Sequence, residues 1–188
     1  MLYLLVKYRE FSWKFTFILA GANVNAVDKT RGWTALHHAC ALHAKEIPEI
    51  VKSLLKKSDK NAVNVQSKYF KQSPLVIASY HGNEPVVKLL VESGKADVHL
   101  RDAAGDFALH HAVKQSKSNV VELLLPKQDK VYNEENGVGF TALDAAAQSL
   151  LSQLHGSNGN VVVGHSYNQV YQHVKSVQGV SVCRVQQN

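Results

Sequence analysis

One short motif recurs four times along the chain. TALHHA at residues 34–39 returns as SPLVIA at 73–78, as FALHHA at 107–112 and as TALDAA at 141–146, so successive copies begin 39, 34 and 34 residues apart. A fixed period of this size marks an array of stacked supersecondary units, each too small to bury its own apolar face. The chain is therefore expected to fold as a repeat array.

Each copy of the motif predicts the start of a helix. Thr34 and Ser73 can accept a backbone N–H as N-caps, and Pro or Ala is tolerated at the first helical position. After the second copy come Gly82, the amphipathic run PVVKLLV at 85–91, and Gly94. This order predicts a helix, a tight turn, a second helix and an exposed loop in each unit.

These residues resemble the ankyrin repeat family, whose pattern contains Gly, then Thr-Pro-Leu-His, Ala, Gly, a Val- and Leu-rich helix and a Gly-Ala-Asp-Val-Asn loop. The resemblance covers residues 18–147. It implies an all-α ankyrin repeat solenoid of stacked antiparallel helix pairs, with hairpin loops projecting from one edge as a binding surface. It also implies a cytoplasmic location, with the nucleus as the alternative.

The repeat register divides the chain into three parts. Residues 1–27 are interpreted as a partial N-terminal repeat, because GANVN at 21–25 matches a repeat-ending loop with no inner helix before it. Residues 28–147 are assigned to ankyrin repeats, and 148–188 to an irregular insertion followed by a displaced outer helix or by disorder. Because the array begins in mid-repeat, the chain is expected to be a fragment or to open with residues foreign to the array.

Three departures from the family pattern predict local differences between repeats. The extra length of the first repeat lies in residues 41–50, where an insertion lengthens a loop and spares the stack. Lys71 stands where the family has a Gly with positive φ, at a cost of about 1 kcal/mol. Phe107 stands where a capping oxygen is expected, which also costs about 1 kcal/mol.

The composition narrows the classes of function. The net charge of +6 would suit an acidic partner, but the only basic cluster, around Lys56, is typical of a solvated helix face. Nucleic-acid binding is therefore not favoured.

Charged residues from Lys7 onward interrupt the apolar N-terminus before a membrane span is complete. Cys40 and Cys183 are too few for a disulfide framework and are expected to be reduced thiols.

No set of residues predicts catalysis, a cofactor or a metal ion. His37-His38 and His110-His111 are adjacent pairs, and neighbours on a helix point about 100° apart, so neither pair forms an i, i+4 chelate. The family resemblance implies a structural role for His37 and His110. Cys40 has no base at catalytic spacing and is expected to fill space in the core. The chain is therefore expected not to be an enzyme.

The residues that the fold does not require are the candidates for partner contact. Aromatic and Arg side chains on a rigid surface are enriched in interface hot spots. The family register places such groups at hairpin tips and at exposed ends of inner helices, and the alternative is that some pack against the adjacent hairpin. The candidates are Arg31, Trp33, His38, Tyr69, Phe70, Tyr80, His81, His111, Lys114 and Phe140.

Two interpretations of function follow from the resemblance. The first is a noncatalytic protein–protein interaction module whose partner, another protein, contacts the hairpin tips and the concave face. The alternative is a substrate-binding ankyrin fragment of a larger ubiquitin ligase, because the run 105–112, the LLLP run at 123–126 and GFTAL at 139–143 resemble repeats of Mind bomb-type ligases.

Two loop residues are candidate sites of modification. Asn25 and His99 end the loops that close two repeats. In ankyrin proteins this position can be hydroxylated by the asparaginyl hydroxylase of cellular oxygen sensing, so the resemblance makes both residues candidate acceptors. The alternative is that the side chain holds its loop through hydrogen bonds to nearby backbone, as Asn does in turns.

Overall fold

The computed structural model describes residues 23–127 and 134–147. Every regular element in these ranges is helical. The α-helices are α1 (Ala35–Cys40), α2 (Ile47–Lys57), α3 (Lys60–Val63), α4 (Pro74–His81), α5 (Glu84–Glu92), α6 (Ala108–Lys114) and α7 (Ser118–Leu124). A 3₁₀ turn, Leu125–Lys127, follows α7, and residues 142–147 are again helical. The assignments to residues 1–22 and 148–188 lie outside the described ranges.

The predicted N-caps are confirmed for two inner helices. The Thr34 side chain accepts the N–H of His37 before α1, and the Ser73 side chain accepts the N–H of Val76 before α4. Pro74 then occupies the first position of α4, where its missing N–H has no helical partner to lose. At Phe107, no side-chain oxygen caps α6, as the sequence predicts.

The helices form antiparallel pairs that stack side by side. Inner helix α1 packs on its own outer helix α2 and on the next inner helix α4, which in turn packs on α6. The outer helices α2, α5 and α7 contact one another in the same order. The long, thin core between the two layers is built from fully buried aliphatic residues such as Leu54, Leu90 and Leu109. Cys40, fully buried, is part of this core, as predicted.

The extra length of the first repeat lies where the sequence predicts it. Residues 41–46 separate α1 from α2, whereas only Gly82 and Asn83 separate α4 from α5. The longer loop is tied to the next repeat, because the Asn83 side chain donates to the carbonyl of Leu42 at 2.7 Å. No helix in the described ranges is both long and apolar enough to cross a bilayer.

A hairpin loop precedes each inner helix of the described ranges. Each is closed by a backbone hydrogen bond, from Asp28 N to Trp33 O, Ser67 N to Gln72 O, Asp102 N to Asp106 O, and Asn136 N to Phe140 O. These loops are called hairpin 1 (28–33), hairpin 2 (67–72), hairpin 3 (102–106) and hairpin 4 (136–140), and together they form the hairpin edge.

Candidate partner-binding surface

The four hairpins are hydrogen-bonded into one continuous edge. Lys68 N donates to Arg31 O at 2.8 Å, Ala103 N to Phe70 O at 2.9 Å, and Gly137 N to Ala104 O at 2.9 Å. The last contact requires glycine, because a Cβ on Gly137 would lie 2.5 Å from Ala104 O. Main-chain bonds therefore fix each hairpin tip relative to the next.

Hairpins 1 and 3 are each held to their own inner helix by an Asp–His pair. His38 Nε2 donates to Asp28 Oδ2 at 3.0 Å, and His111 Nε2 donates to Asp102 Oδ2 at 2.8 Å. The second carboxylate oxygen of Asp28 accepts the N–H groups of Arg31 and Gly32. These two pairs are called the Asp–His clasps, and they were not predicted from the sequence.

The hydrogen bonds to both carboxylates outweigh the effect of burial. Burial by itself raises the pKa of Asp28, but donors that include Arg31 N–H and His38 lower the pKa to about 2. Burial likewise raises the pKa of Asp102, and the hydrogen bond from His111 brings it below its ordinary value. Both clasp carboxylates are therefore ionised at neutral pH.

The fully buried imidazoles of His37 and His110 bridge neighbouring repeats. His37 Nδ1 accepts the N–H of Thr34 at 3.1 Å, and its Nε2 donates to Gln72 O of hairpin 2 at 3.2 Å. His110 Nε2 donates to Phe140 O of hairpin 4 at 3.1 Å. Burial lowers the pKa of His37 to about 4 and that of His110 in the same direction. The predicted structural role of both is confirmed.

The second repeat has neither an Asp–His clasp nor a buried imidazole of its own, and hairpin 2 receives only the hydrogen bond from His37 of the first repeat to Gln72 O. Ser67 occupies the place of Asp28 and Asp102, and its side chain accepts only the N–H of Gln72, at 3.0 Å. The inner-helix positions that correspond to the two histidines are Val76 and Ile77, both buried. Lys71 adopts φ of 52°, so the turn keeps the left-handed conformation that the sequence predicts for this position.

The tip of hairpin 2 exposes the largest aromatic surface in the described ranges. Tyr69 is 64 % exposed and Phe70 is 69 % exposed. Trp33 of hairpin 1 is less exposed, because it is half-buried. Trp33 packs against the His38 ring, with centroids 5.0 Å apart, and carries the Arg31 guanidinium 4.8 Å above it. Hairpin 1 therefore packs its aromatic group locally, and hairpin 2 presents its own to solvent.

The remaining candidates lie on or near the inner helices. Tyr80 is 43 % exposed at the end of α4, and its ring lies 5.3 Å from His81 and 6.0 Å from His111. Lys114 donates to Asp106, and the Phe140 carbonyl accepts from His110. His38 and His111 keep only 11 % and 12 % of their side chains exposed. These contacts give several candidates an intramolecular role in addition to the predicted one.

The structure brings Asp102, Asp106 and His111 together, with ligand atoms within 4.8 Å of one another. The spacing of these residues in the sequence does not predict such a set. Their oxygens are already occupied, because Asp106 accepts from the Lys114 ammonium and from the Asn136 amide, and Asp102 accepts from His111. A metal ion would have to displace the Lys114 ammonium group. The arrangement therefore serves as a hydrogen-bonded support for hairpin 3 rather than as an open cation site.

Asn25 and His99 are both exposed. The N–H of Asn25 donates to the side chain of Asn23, and the N–H of His99 donates to the side chain of Asp97. At the corresponding place in the first complete repeat, Asn64 donates to the carbonyls of Lys60 and Lys95. Its side-chain oxygen also accepts the N–H of Asp97. At Asn64, the side chain therefore holds its loop through hydrogen bonds to backbone, which is the alternative to a role as a modification site.

The stacked helix pairs and the continuous hairpin edge define a helical repeat protein. The family model for ankyrin repeats (3 copies) matches residues 2–102, more than half of the chain. The chain belongs to the ankyrin repeat family, and the predicted all-α solenoid is confirmed. Members of this family generally mediate protein–protein interaction and are typically noncatalytic.

Three proteins show the extent of the similarity. The mouse B-cell lymphoma 3 protein homolog is 32 % identical over 69 % of this chain and 28 % of its own length. The Candida albicans glycerophosphocholine phosphodiesterase GDE1 is 32 % identical over 57 % of this chain and 9 % of its own. A Rickettsia bellii protein named for its ankyrin repeats is 38 % identical over 41 % and 39 %. The chain thus spans less than half the length of each relative.

Proposed function

We propose that this chain is a noncatalytic protein-binding module that holds its partner along the hairpin edge and the adjoining concave face. The observation that carries the proposal is the exposure of Tyr69 and Phe70, at 64 % and 69 %, on a hairpin whose backbone is fixed from both sides. Aromatic groups held on a rigid support lose little conformational entropy when they are buried by a partner. The proposed location is the cytoplasm.

The rest of the proposed surface extends to both sides of these two residues. Arg31 and Trp33 lie on hairpin 1, and Tyr80 and His81 lie at the end of the inner helix below hairpin 2. Phe140 and the histidines of the clasps would then be contacted only at their exposed margins. We therefore propose hairpin 2 as the centre of the interface, with hairpins 1 and 3 as its rim.

A variant pair tests this assignment. Tyr69→Ala with Phe70→Ala removes the exposed aromatic surface, and Lys56→Ala with Lys88→Ala removes an equal number of exposed side chains from the outer helices. Partners captured by the unaltered chain are quantified by mass spectrometry against both variants. We expect partner recovery to fall about tenfold or more for the aromatic variant only, as hot-spot truncation predicts. Equal recovery with both variants would refute the proposed surface.

A second proposal concerns the larger protein to which the array would belong. The low coverage of each relative supports an array that forms part of a longer chain. The resemblance of residues 105–112 and 139–143 to Mind bomb-type repeats suggests a substrate-binding part of a ubiquitin ligase. Partners captured through Tyr69 and Phe70 would then accumulate when the proteasome is inhibited. Unchanged partner levels would argue against this proposal.

We also propose Asn25 as a hydroxylation acceptor, with His99 as the second candidate. Both side chains are exposed in loops outside the helices. Incubation with the asparaginyl hydroxylase, iron, 2-oxoglutarate and oxygen is expected to add one oxygen atom, detected by tandem mass spectrometry. A known ankyrin substrate in the same tube is the control. Modification of that control alone would refute the proposal.

A further inference from the structure

The hairpin edge is divided by charge. Hairpins 1 and 2 expose four basic side chains, those of Lys29, Arg31, Lys68 and Lys71. The one carboxylate in these two hairpins is that of Asp28, which is 4 % exposed and faces His38. The outward surface of hairpins 1 and 2, here called the cationic half, therefore carries positive charge alone.

The charges at hairpins 3 and 4 are either paired or negative. Arg101, which is exposed and directly precedes hairpin 3, donates to the Glu134 carboxylate at 2.7 Å. Glu135, also exposed, follows directly, and Lys114 donates to Asp106. Hairpins 3 and 4 themselves contain no Lys or Arg, and the neighbouring Arg101 and Lys114 are paired with carboxylates, so the described part of this half offers no excess positive charge to an anionic partner.

Two of the four basic side chains of the cationic half lie beside aromatic rings. The Arg31 guanidinium lies 4.8 Å from the Trp33 centroid, and the Lys68 ammonium lies 5.2 Å from the Tyr69 centroid. Among residues 23–127 and 134–147, the ion pairs given by the structure do not involve any of the four basic residues of the cationic half. A ligand that matches this surface must supply both negative charge and apolar area.

We propose that the cationic half binds a linear acidic segment of the partner protein, in which Asp, Glu or phosphorylated side chains flank an apolar residue. The acidic groups would contact Arg31 and Lys68, and the apolar residue would pack on Tyr69 and Phe70. This inference rests on the proposed protein-binding function and names the chemistry of its partner. It also places the segment on hairpins 1 and 2 and away from hairpins 3 and 4.

Geometry favours a narrow peptide over an extended anionic surface. The hairpins are joined side by side by main-chain hydrogen bonds, so a bilayer or a duplex that covers the cationic half also approaches Glu134 and Glu135. These carboxylates would repel a second row of phosphates. Four basic groups are also fewer than the roughly six to ten phosphate contacts of a typical strong nucleic-acid binder. A peptide can remain on two hairpins and avoid the acidic half.

The test uses the full chain and a displayed library of random peptides, so that no ligand needs to be known. The charge-reversal variant is Arg31→Glu with Lys68→Glu. The matched control is Lys56→Glu with Lys60→Glu, which changes the net charge equally on exposed residues away from the hairpin edge. Circular dichroism verifies that each variant is helical. Selected peptides are then synthesised, and their affinities are measured by fluorescence polarisation.

We expect peptides selected on the unaltered chain to be enriched in Asp and Glu around an apolar residue. Their affinity should fall about tenfold or more in the charge-reversal variant, because acidic side chains of the peptide then meet Glu in place of Arg31 and Lys68. In the control the affinity should fall about twofold or less, because the charges that change lie away from the peptide. No acidic enrichment, or equal affinity for the two variants, would overturn the proposal. Tip-dependent binding of polyuridine or of phosphatidylserine vesicles, without peptide binding, would also overturn it.

A further outcome separates this inference from the function on which it rests. Suppose that Tyr69→Ala with Phe70→Ala abolishes partner capture, and that the charge-reversal variant captures the same partners at full level. The acidic segment would then be refuted, and the protein-binding function would stand. If neither variant affects capture of those partners, the proposed protein-binding surface itself fails.

Discussion

Hairpins 1 and 3 differ from hairpin 2 in how they are held. In hairpins 1 and 3, a buried carboxylate joins the loop to its inner helix through His38 or His111. Hairpin 2 has the hydroxyl of Ser67 at that place, and its loop contains the strained Lys71. Hairpins of the same fold are thus held to their own repeats in two ways, by an Asp–His pair in hairpins 1 and 3 and by a single hydroxyl group in hairpin 2.

The difference separates residues that the fold uses from residues that it leaves available. In hairpin 1 the aromatic group, Trp33, packs on the imidazole of its own clasp. In hairpin 2 the corresponding inner-helix residues are aliphatic and buried, and Tyr69 and Phe70 extend into solvent. We infer that hairpins 1 and 3 support hairpin 2 from both sides, and that hairpin 2 supplies the surface for a partner.

Removal of a clasp is expected to have the largest effect on stability. Asp28→Ala removes one acceptor that is shared by the N–H groups of Arg31 and Gly32 and by the His38 imidazole. The loss of these three partly buried hydrogen bonds to one carboxylate should lower the free energy of unfolding by about 4 kcal/mol. Ser67→Ala removes one acceptor and should cost about 1 kcal/mol. Urea unfolding of both variants measures the difference, and equal losses would remove the distinction between the hairpins.

Acid should destabilise the fold through the buried imidazoles. The pKa of His37 is about 4 in the folded chain and 6.5 as its ordinary value, so the unfolded chain takes up the proton first as pH falls. The free energy of unfolding should therefore decrease by roughly 3 kcal/mol from pH 6.5 to pH 4, with His110 acting in the same direction.

The two kinds of repeat provide the control for this pH dependence. His37→Gln should reduce the slope of stability against pH in this window, whereas Val76→Ala, at the corresponding position of the second repeat, should lower stability equally at all pH values. The Asp28 carboxylate titrates at lower pH, because its pKa is about 2. A slope unaffected by His37→Gln would contradict the assignment.

Relief of strain in hairpin 2 should have a smaller, stabilising effect. Lys71 has φ of 52°, which Gly adopts without steric cost. Lys71→Gly should raise the free energy of unfolding by up to about 1 kcal/mol. Lys68→Gly, in the same hairpin but without positive φ, should instead lower it by about 0.5 kcal/mol. A loss in both variants would show that the Lys71 side chain contributes more than its backbone costs.

The smallest effect on stability is expected at the exposed aromatic tip. Tyr69→Ala with Phe70→Ala removes side chains that are mostly in solvent, so the free energy of unfolding should change by about 0.5 kcal/mol or less. Thermal and urea unfolding measure this value. A loss of several kcal/mol would mean that hairpin 2 depends on these rings for its own structure.

The helical array was predictable from the sequence, because the repeated motif fixes the register of the helix pairs. The caps at Thr34 and Ser73 and the positive φ of Lys71 followed from the same register. The Asp–His clasps were not predicted, because residues ten and nine positions apart meet only once each hairpin folds back on its helix. One feature of the sequence could have indicated them. The two repeats that have Asp at the start of the hairpin, Asp28 and Asp102, are also the two that have a second His in the inner helix, His38 and His111.

Contact with a partner was harder to predict, because exposure depends on what each ring packs against. Trp33 and Tyr69 are both aromatic residues of hairpins, yet only Trp33 has a neighbouring imidazole to cover it. Sequence register places both near the tip and does not distinguish them.

Amide hydrogen exchange with and without a selected acidic peptide tests the central claim most directly. In the free chain, amides of residues 67–72 should exchange faster than those of 28–33 and 102–106, because hairpin 2 lacks a clasp. Bound peptide should slow exchange in residues 67–72 and 29–33 and leave 102–106 unchanged. Equal exchange in the three free hairpins, together with protection confined to residues 102–106 or to the outer helices, would contradict the account.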